Sequence, residues 1–254
     1  MNFQERKQII LKIVEEKGSV HAKELMQLLD ASEITVRRDL TALADKGLVF
    51  RTHGGAMRCD LAKDPEPVSF KGKATQNQDQ KNYICEIASK FIVEGDVVFL
   101  DCGSTVFQIV QFIKNKRIKV ITNSLPILYD LIGTVVSVSM IGGEVDQERQ
   151  AIHGKMAIEQ IGRYHATKAF IGTDGISIAK GLSSKSEIES EISLTMANNA
   201  DEVFLLADSS KLEKDSFLKF APISIVSSLI TDQYASDIIL KKYHNAGVKI
   251  YKQS

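Results

Sequence analysis

Ser32-Glu33-Ile34-Thr35-Val36-Arg37-Arg38-Asp39-Leu40 is the stretch that decides how the first part of this chain folds. On a helix, Val36, Leu40 and Leu43 recur at i, i+4 and i+7, which predicts one inward stripe. Ser32 stands in front of that stripe as a good N-cap. Thr35, Arg38 and Thr41 project elsewhere, with Arg37 beside them. A short helix that presents Ser, Thr and two Arg near its start can meet base edges and phosphates in a major groove. Arginine pairs with guanine through two hydrogen bonds, while hydroxyls fix position on the backbone. The competing reading is a solvated helix face on which Glu33 pairs with Arg37 one turn on. For an arbitrary helix that plainer reading would win by roughly three to one. The flanking sequence reverses those odds.

Upstream, Ile9, Ile10, Ile13 and Val14 recur at helical spacing before Gly18. Ala22–Leu29 then predicts a second helix with Leu25, Leu28 and Leu29 inward. A brief turn, Asp30-Ala31, leads into the stretch above. Downstream, Gly47 stops the third helix near Lys46. Leu48–Arg51 reads as a strand, and His53-Gly54-Gly55-Ala56 as a hairpin turn. Helix, helix, helix and hairpin make residues 1–58 a winged helix-turn-helix. Its expected DNA contacts are Ser32, Thr35, Arg37, Arg38 and Thr41, with Arg51, His53 and Gly54 on the wing.

Residues 59–80 are polar, carry Pro65 and Pro67, and lack sustained apolar periodicity, so they read as a linker with some helix near its end. From 81 to 254 short apolar runs alternate with amphipathic segments. Val97–Leu100, Ile118–Ile121, Val136–Ile141, Ala169–Ile171 and Val203–Leu206 read as buried strands. Glu86–Phe91, Val106–Ile113 and Glu187–Met196 read as helices. This alternation predicts an α/β domain with a mostly parallel, doubly wound sheet. Polar loops follow four of the strands: Asp101–Thr105, Thr122–Ser124, Gly142-Gly143 and Gly172–Gly175. In open α/β sheets such strand ends form the ligand crevice. Gly103, Ser104 and Thr105 open a helix, where free N–H groups and hydroxyls favour a phosphate. Lys211 can add a cation. Each loop on its own is also ordinary turn chemistry, Gly142-Gly143 above all.

Composition narrows the field. At 254 residues, with 44% hydrophobic, the chain has material for two domains with real cores. Net charge is zero, which excludes a wholly basic coat, and residues 1–58 hold ten Lys/Arg against eight Asp/Glu. Cys59, Cys85 and Cys102 are odd in number and widely spaced, which suggests neither a disulfide framework nor a metal motif. No apolar run approaches a membrane span and no targeting segment is evident, so a cytoplasmic location is expected.

With these residues in hand, the chain resembles the DeoR family of bacterial transcriptional regulators. Ser32-x-x-Thr35-Val36-Arg37-Arg38-Asp39-Leu40 followed by Arg51-Thr52-His53-Gly54-Gly55-Ala56 is similar to its DNA-binding signature. The likeness continues through Glu94–Thr105, Thr122–Pro126, Ile141–Gly143, Lys168–Gly172, Gly175-Ile176 and Ala207–Lys211. It implies a sensor domain related in fold to sugar-phosphate isomerases, without turnover, that binds phosphorylated sugars. It also implies that Asp101, Gly103, Ser104, Thr105, Asn123 and Lys211 line or shape the site. Together with the loop reading, the expected ligand set adds Gly142, Gly143 and Asp174. Thr167 stands where an aspartate often precedes Lys-Ala-Phe, and Ser193 where a lysine is common.

The expected function is a repressor of a carbohydrate-metabolism operon. Its partners are double-stranded operator DNA, a sugar-phosphate effector and a second copy of itself, with no cofactor, metal or membrane. The rival reading is an active isomerase or deaminase, with Asp101, Asp174, Glu187 or Glu189 as general base. Capping and solvated helix positions explain those carboxylates more simply.

Overall fold

The computed structural model describes residues 3–17, 19–29, 31–44, 48–52, 55–57 and 70–252. The chain divides into two compact units, Met1–Glu66 and Pro67–Ser254. In the first unit the elements are α1 (Phe3–Lys17), β1 (Ser19–His21), α2 (Ala22–Leu29), α3 (Glu33–Ala44), β2 (Phe50–Thr52) and β3 (Gly55–Met57). Val36, Leu40 and Leu43 are buried with Ile10, Val14, Leu25, Leu29 and Val49 in one core. The i, i+4, i+7 stripe therefore packs as its spacing dictates. Arg6 on α1 donates to both carboxylate oxygens of buried Asp39 on α3, at 2.5 and 3.1 Å. That two-point pair fixes α3 against α1.

Three local expectations change. Leu28 and Ile9 are exposed, because each helix buries only one narrow stripe, filled by Leu25 and Leu29 on α2 and by Ile10 and Val14 on α1. Ser19–His21 forms a strand, giving a three-stranded sheet in the order β1-β3-β2. Gly55 and Ala56 consequently belong to strand β3 rather than to the hairpin turn, pairing with β1 on one side and β2 on the other. A Cβ on Gly55 would lie 2.0 Å from the Val20 carbonyl oxygen, so this close approach requires glycine. His53 and Gly54 lie outside the described residues, as do the stop at Gly47 and the helix end near Lys46.

The second unit begins with α4 (Phe70–Thr75) and α5 (Gln78–Ser89), then β4 (Val97–Leu100), α6 (Ser104–Phe107), α7 (Val110–Ile113), β5 (Lys119–Thr122), α8 (Leu125–Leu131) and β6 (Ser137–Met140). A hairpin of β7 (Glu144–Asp146) and β8 (Ala151–His153) leads to α9 (Lys155–Ile161) and β9 (Ala166–Ile171). β10 (Gly175–Ser177), β11 (Gly181–Ser184), α10 (Glu187–Asn198), β12 (Ala200–Leu206) and β13 (Leu218–Ala221) follow. β14 (Ser228–Ile230), α11 (Asp237–Asn245) and β15 (Lys249–Tyr251) complete it.

Seven strands form one sheet in the order β15-β14-β12-β9-β4-β5-β6, and every neighbouring pair is parallel. Alternation decides which side chain faces which layer. Phe99, Ala169, Ile171, Val203, Leu205 and Leu229 join a core with α10 and α11. Val98, Leu100, Val120, Phe170, Phe204 and Leu206 join a second core with α5, α7 and α8. Both faces are covered, so the sheet is doubly wound as expected. Connections run outward from β4 through β5 and β6 on one side, and through β9, β12, β14 and β15 on the other. The order therefore reverses between β4 and β9, which is where such sheets open a crevice.

The stretch 70–80 is more structured than its composition suggests. Phe70 is buried edge-on against Phe107 at 5.3 Å, and its N–H donates to the Glu148 carbonyl at 2.8 Å. One aromatic anchor in a polar segment holds α4 without the repeated apolar spacing that periodicity detects. The predicted helix Val106–Ile113 is two short helices, broken around Gln108-Ile109. Among the described residues, no helix is long and apolar enough to cross a membrane.

Candidate functional site

In the first unit, Ser32 accepts the Thr35 N–H at 3.4 Å, and the two hydroxyls lie 2.9 Å apart. Ser32 is thus the N-cap that the sequence proposed. Arg37 donates to Glu33 at 2.8 Å across the exposed surface, so the plainer pairing forms. Exposed i, i+4 pairs are worth about 0.3–0.5 kcal/mol, too little to keep Arg37 from a phosphate. The Thr41 hydroxyl donates back to the Arg37 carbonyl at 2.9 Å. Arg38 is exposed and, among the described residues, makes no ion pair. Ile34, which residue chemistry did not single out, is 80% exposed at the start of the same helix. With Arg38 and Thr41 it falls at i, i+4 and i+7, so these three share one outward face. Arg51 lies on β2.

In the second unit, a cavity opens at the carboxyl ends of β4 and β9. It gathers Asp101, Gly103, Ser104, Thr105, Asp174 and Lys211 from the sequence-derived set. Asn123, Gly142 and Gly143 do not line it. Asn123 is fully buried and donates to the Ile152 carbonyl at 2.9 Å, holding the loop after β5 to β8. The Gly142 N–H donates to Gln160 Oε1 at 2.8 Å. A Cβ on Gly143 would sit 2.5 Å from the His153 carbonyl, which makes that glycine a packing requirement, whereas one on Gly142 would meet only Gln160 Oε1 at 3.6 Å. Edge strand β6, which precedes them, lies two strands from the switch point.

Asp101 is buried and takes N–H donors from Gly103 at 2.7 Å and Gly172 at 2.6 Å, and the Ser193 hydroxyl at 3.3 Å. Burial outweighs those donors and raises its pKa above the usual carboxylate range. It ties the β4 and β9 loops together in the cavity wall. Gly103 caps α6 without a side-chain hydrogen bond, so the first-turn N–H groups keep no internal side-chain partner. Four-residue α6 contributes little macrodipole; those N–H groups and the Ser104 and Thr105 hydroxyls are what remain for an anion.

Cations from outside the expected set complete the cavity. Lys73 pairs with Asp174 at 2.8 Å, and Arg149 pairs with Glu189 through both carboxylate oxygens. Burial pushes Asp174 upward, but Lys73 and the Lys185 N–H bring it below its ordinary range. Lys81 is 5% exposed, donates to the Lys73 carbonyl, and lies 3.2 Å from Ser104 Oγ. Burial lowers its pKa to about 8. Formally the lining is balanced, with Lys73, Lys81, Arg149 and Lys211 against Asp101, Asp174, Glu189 and Asp208. The positive character is therefore local. Among the described residues Lys81 and Lys211 form no ion pair; Asp208 accepts the Ser210 N–H at 3.0 Å and is the carboxylate whose charge favours the Lys81 ammonium. Composition could not disclose Lys73 and Lys81, because they sit within and at the edge of an apparent linker. Arg149 comes from a hairpin with no motif.

The departures from the family pattern have local explanations. Thr167 donates to Asp96 and to the Val97 carbonyl, while Lys168 binds both Asp96 oxygens at 2.8 and 2.9 Å. Asp96 thus gathers Thr167 and Lys168 at the start of β9. Ser193 places a hydroxyl on Asp101 where a lysine is common.

Residues 6–61 match the DeoR-like helix-turn-helix domain, and residues 76–233 match the DeoR C terminal sensor domain. The chain belongs to the DeoR family. Among relatives of this DeoR-family regulator, the HTH-type transcriptional regulator FruR of Bacillus subtilis is 32% identical over 246 residues, 96% of each chain. A lactose phosphotransferase system repressor of Staphylococcus epidermidis is 33% identical over 236 residues, covering 91% of this chain and 93% of its own. A solved ribose 5-phosphate isomerase A from Methanocaldococcus jannaschii overlaps 54% of this chain and 55% of its own, at 19% identity and TM-score 0.40. As a family member the chain is a DNA-binding transcriptional regulator and not an enzyme. Of the four carboxylates considered as general bases, Asp101 accepts the Gly172 N–H, Asp174 pairs with Lys73 and Glu189 pairs with Arg149, while Glu187 opens α10.

Proposed function

We propose that this DeoR-family regulator is a cytoplasmic homo-oligomer that represses a carbohydrate-use operon and is modulated by a phosphorylated sugar. The observation that carries the reading is the cavity at the sheet's switch point. There Lys81, 3.2 Å from Ser104 Oγ, and Lys211, neither in an ion pair among the described residues, line one cavity with Ser104, Thr105 and the open first turn of α6. A phosphate takes ammonium, hydroxyl and peptide N–H donors together, whereas a neutral sugar has no use for two cations. Relatives named for the lactose phosphotransferase system and the aga operon agree with a carbohydrate-linked effector. Ser32, Thr35, Arg37, Arg38, Thr41, Arg51, His53 and Gly54 are the proposed DNA contacts, with Ile34 added for its exposed apolar surface. Winged helices reading symmetric half-sites need at least a dimer. The effector acts by binding the DNA-competent and DNA-incompetent states with different affinity. Calorimetric titration with matched sugars and sugar phosphates tests the site. Binding that requires the phosphate and is lost in Thr105→Ala, with DNA affinity intact, is expected. Equal binding of the neutral sugars would refute the phosphate reading.

A further inference from the structure

One group of side chains is used by neither DNA nor phosphate. Cys102 Sγ, a His153 ring nitrogen and a Glu189 carboxylate oxygen all lie within 4.8 Å of one another. They arrive from three elements: the loop after β4, the end of β8 and the first turn of α10. His153 is 4% exposed, and both of its ring nitrogens are buried without a hydrogen-bond partner. A buried imidazole ordinarily has its nitrogens satisfied, since an unmade hydrogen bond there costs about 1–3 kcal/mol. This one instead faces a sulfur and a carboxylate.

We infer that Cys102, His153 and Glu189 form a binding site for one borderline divalent cation of the Zn²⁺ class. Thiolate, imidazole and carboxylate together select such an ion over Mg²⁺ or Ca²⁺, which prefer all-oxygen sites. Bonds of about 2.0–2.3 Å at tetrahedral angles put ligand atoms roughly 3.4–3.6 Å apart. With all three atoms within 4.8 Å of one another, the cluster needs to close by at most about 1.4 Å. Glu189 already holds Arg149, but each of its oxygens has a second lone pair, so the carboxylate can bridge guanidinium and metal. The charges around the site are mixed: Arg149 opposes a cation, while Asp101 and Asp146 favour one. Without metal, burial and Asp101 push the Cys102 thiol up to about 12, so binding must displace its proton. Three protein ligands leave a fourth position, and Cys102 and Glu189 both line the cavity, which places the ion in its wall.

The site can be tested without any sugar phosphate, so its failure is separable from failure of the effector reading. Tag-free, full-length protein stripped with a chelator is titrated with Co²⁺ in phosphate-free buffer. One Co²⁺ per chain is expected, with a thiolate-to-cobalt charge-transfer band and strong four-coordinate d–d bands, all displaced by one equivalent of Zn²⁺. Cys102→Ser removes the charge-transfer band while Cys59→Ser keeps it. His153→Gln weakens Zn²⁺ binding at least tenfold, because even outer-shell changes cost about 10–100-fold. Zn²⁺ also raises the thermal midpoint of the wild-type protein. Stoichiometric binding absent from the wild-type protein, or a band that survives Cys102→Ser, overturns the assignment.

Discussion

Replacing Lys81 with Met separates a cation kept for an anion from a cation kept for the fold. Its ammonium is almost fully buried, touches the Lys73 carbonyl and Ser104 Oγ, and has no carboxylate partner in an ion pair. The fall from 10.5 to about 8 means that holding the charge in this site costs roughly 3 kcal/mol at neutral pH, at 1.36 kcal/mol per unit. The sign follows from proton counting. Between about 8 and 10.5 the unfolded chain binds more protons, so stability rises with pH across that window and the penalty is complete below it. Methionine has a similar reach and no charge. Lys81→Met should therefore stabilise the effector-free protein by about 1–3 kcal/mol in urea denaturation at pH 7. The same change should weaken a phosphorylated effector by about 1.5–3 kcal/mol, the worth of a hydrogen bond to a charged group, with operator affinity unchanged. A variant that is destabilised and still binds the effector at full strength would refute this reasoning. Lys81 would then be a structural tie between α4 and α6.

Four further outcomes are expected. Effector affinity in the wild-type protein should fall as pH rises through about 8, where Lys81 loses its proton, by up to tenfold per unit; a flat calorimetric profile from pH 7 to 9.5 would exclude Lys81 from the site. Arg38→Ala should weaken operator binding by about 1–3 kcal/mol at fixed salt, measured by anisotropy, and unchanged affinity would remove it from the reading surface. Ile34, exposed beside Arg38, is expected to meet a thymine methyl group in the operator: the thymine-to-uracil replacement that weakens the wild-type protein by about 1 kcal/mol should cost Ile34→Ala nothing more; additive losses would mean that Ile34 touches no thymine methyl. Gly55→Ala forces a Cβ to within 2.0 Å of the Val20 oxygen and should destabilise the first unit by more than about 2 kcal/mol in urea, carrying operator affinity down with it.

What the residues disclosed in advance follows the range of the forces involved. The Val36, Leu40 and Leu43 stripe and the apolar runs of β4, β5, β9 and β12 are local patterns, and periodicity reads them directly. Strand β1 has only three residues and owes its existence to pairing with β3, a partner more than thirty residues away. Nothing local marks it. The cavity was half legible for the same reason. Asp101–Thr105 and Asp174 lie in loops at strand ends, so sheet topology alone brings them to the switch point. Lys73 and Lys81 depend on Phe70 docking against Phe107, a single aromatic contact with no period. Asn123 and Gly143 sit in equally suggestive loops, yet the structure commits them to the Ile152 and His153 carbonyls. Polar residues at strand ends mark a neighbourhood; only tertiary hydrogen bonding says which of them are left for a ligand.

The most direct test is fluorescence anisotropy of the full-length protein on DNA from upstream of its own operon, at fixed salt, with and without a panel of sugar phosphates. A ligand-responsive DeoR-family repressor predicts saturable, sequence-selective binding that one phosphorylated compound shifts and its unphosphorylated counterpart does not. Selective binding indifferent to every phosphorylated sugar would contradict the effector assignment, and binding without sequence preference would contradict the operator-reading role of α3.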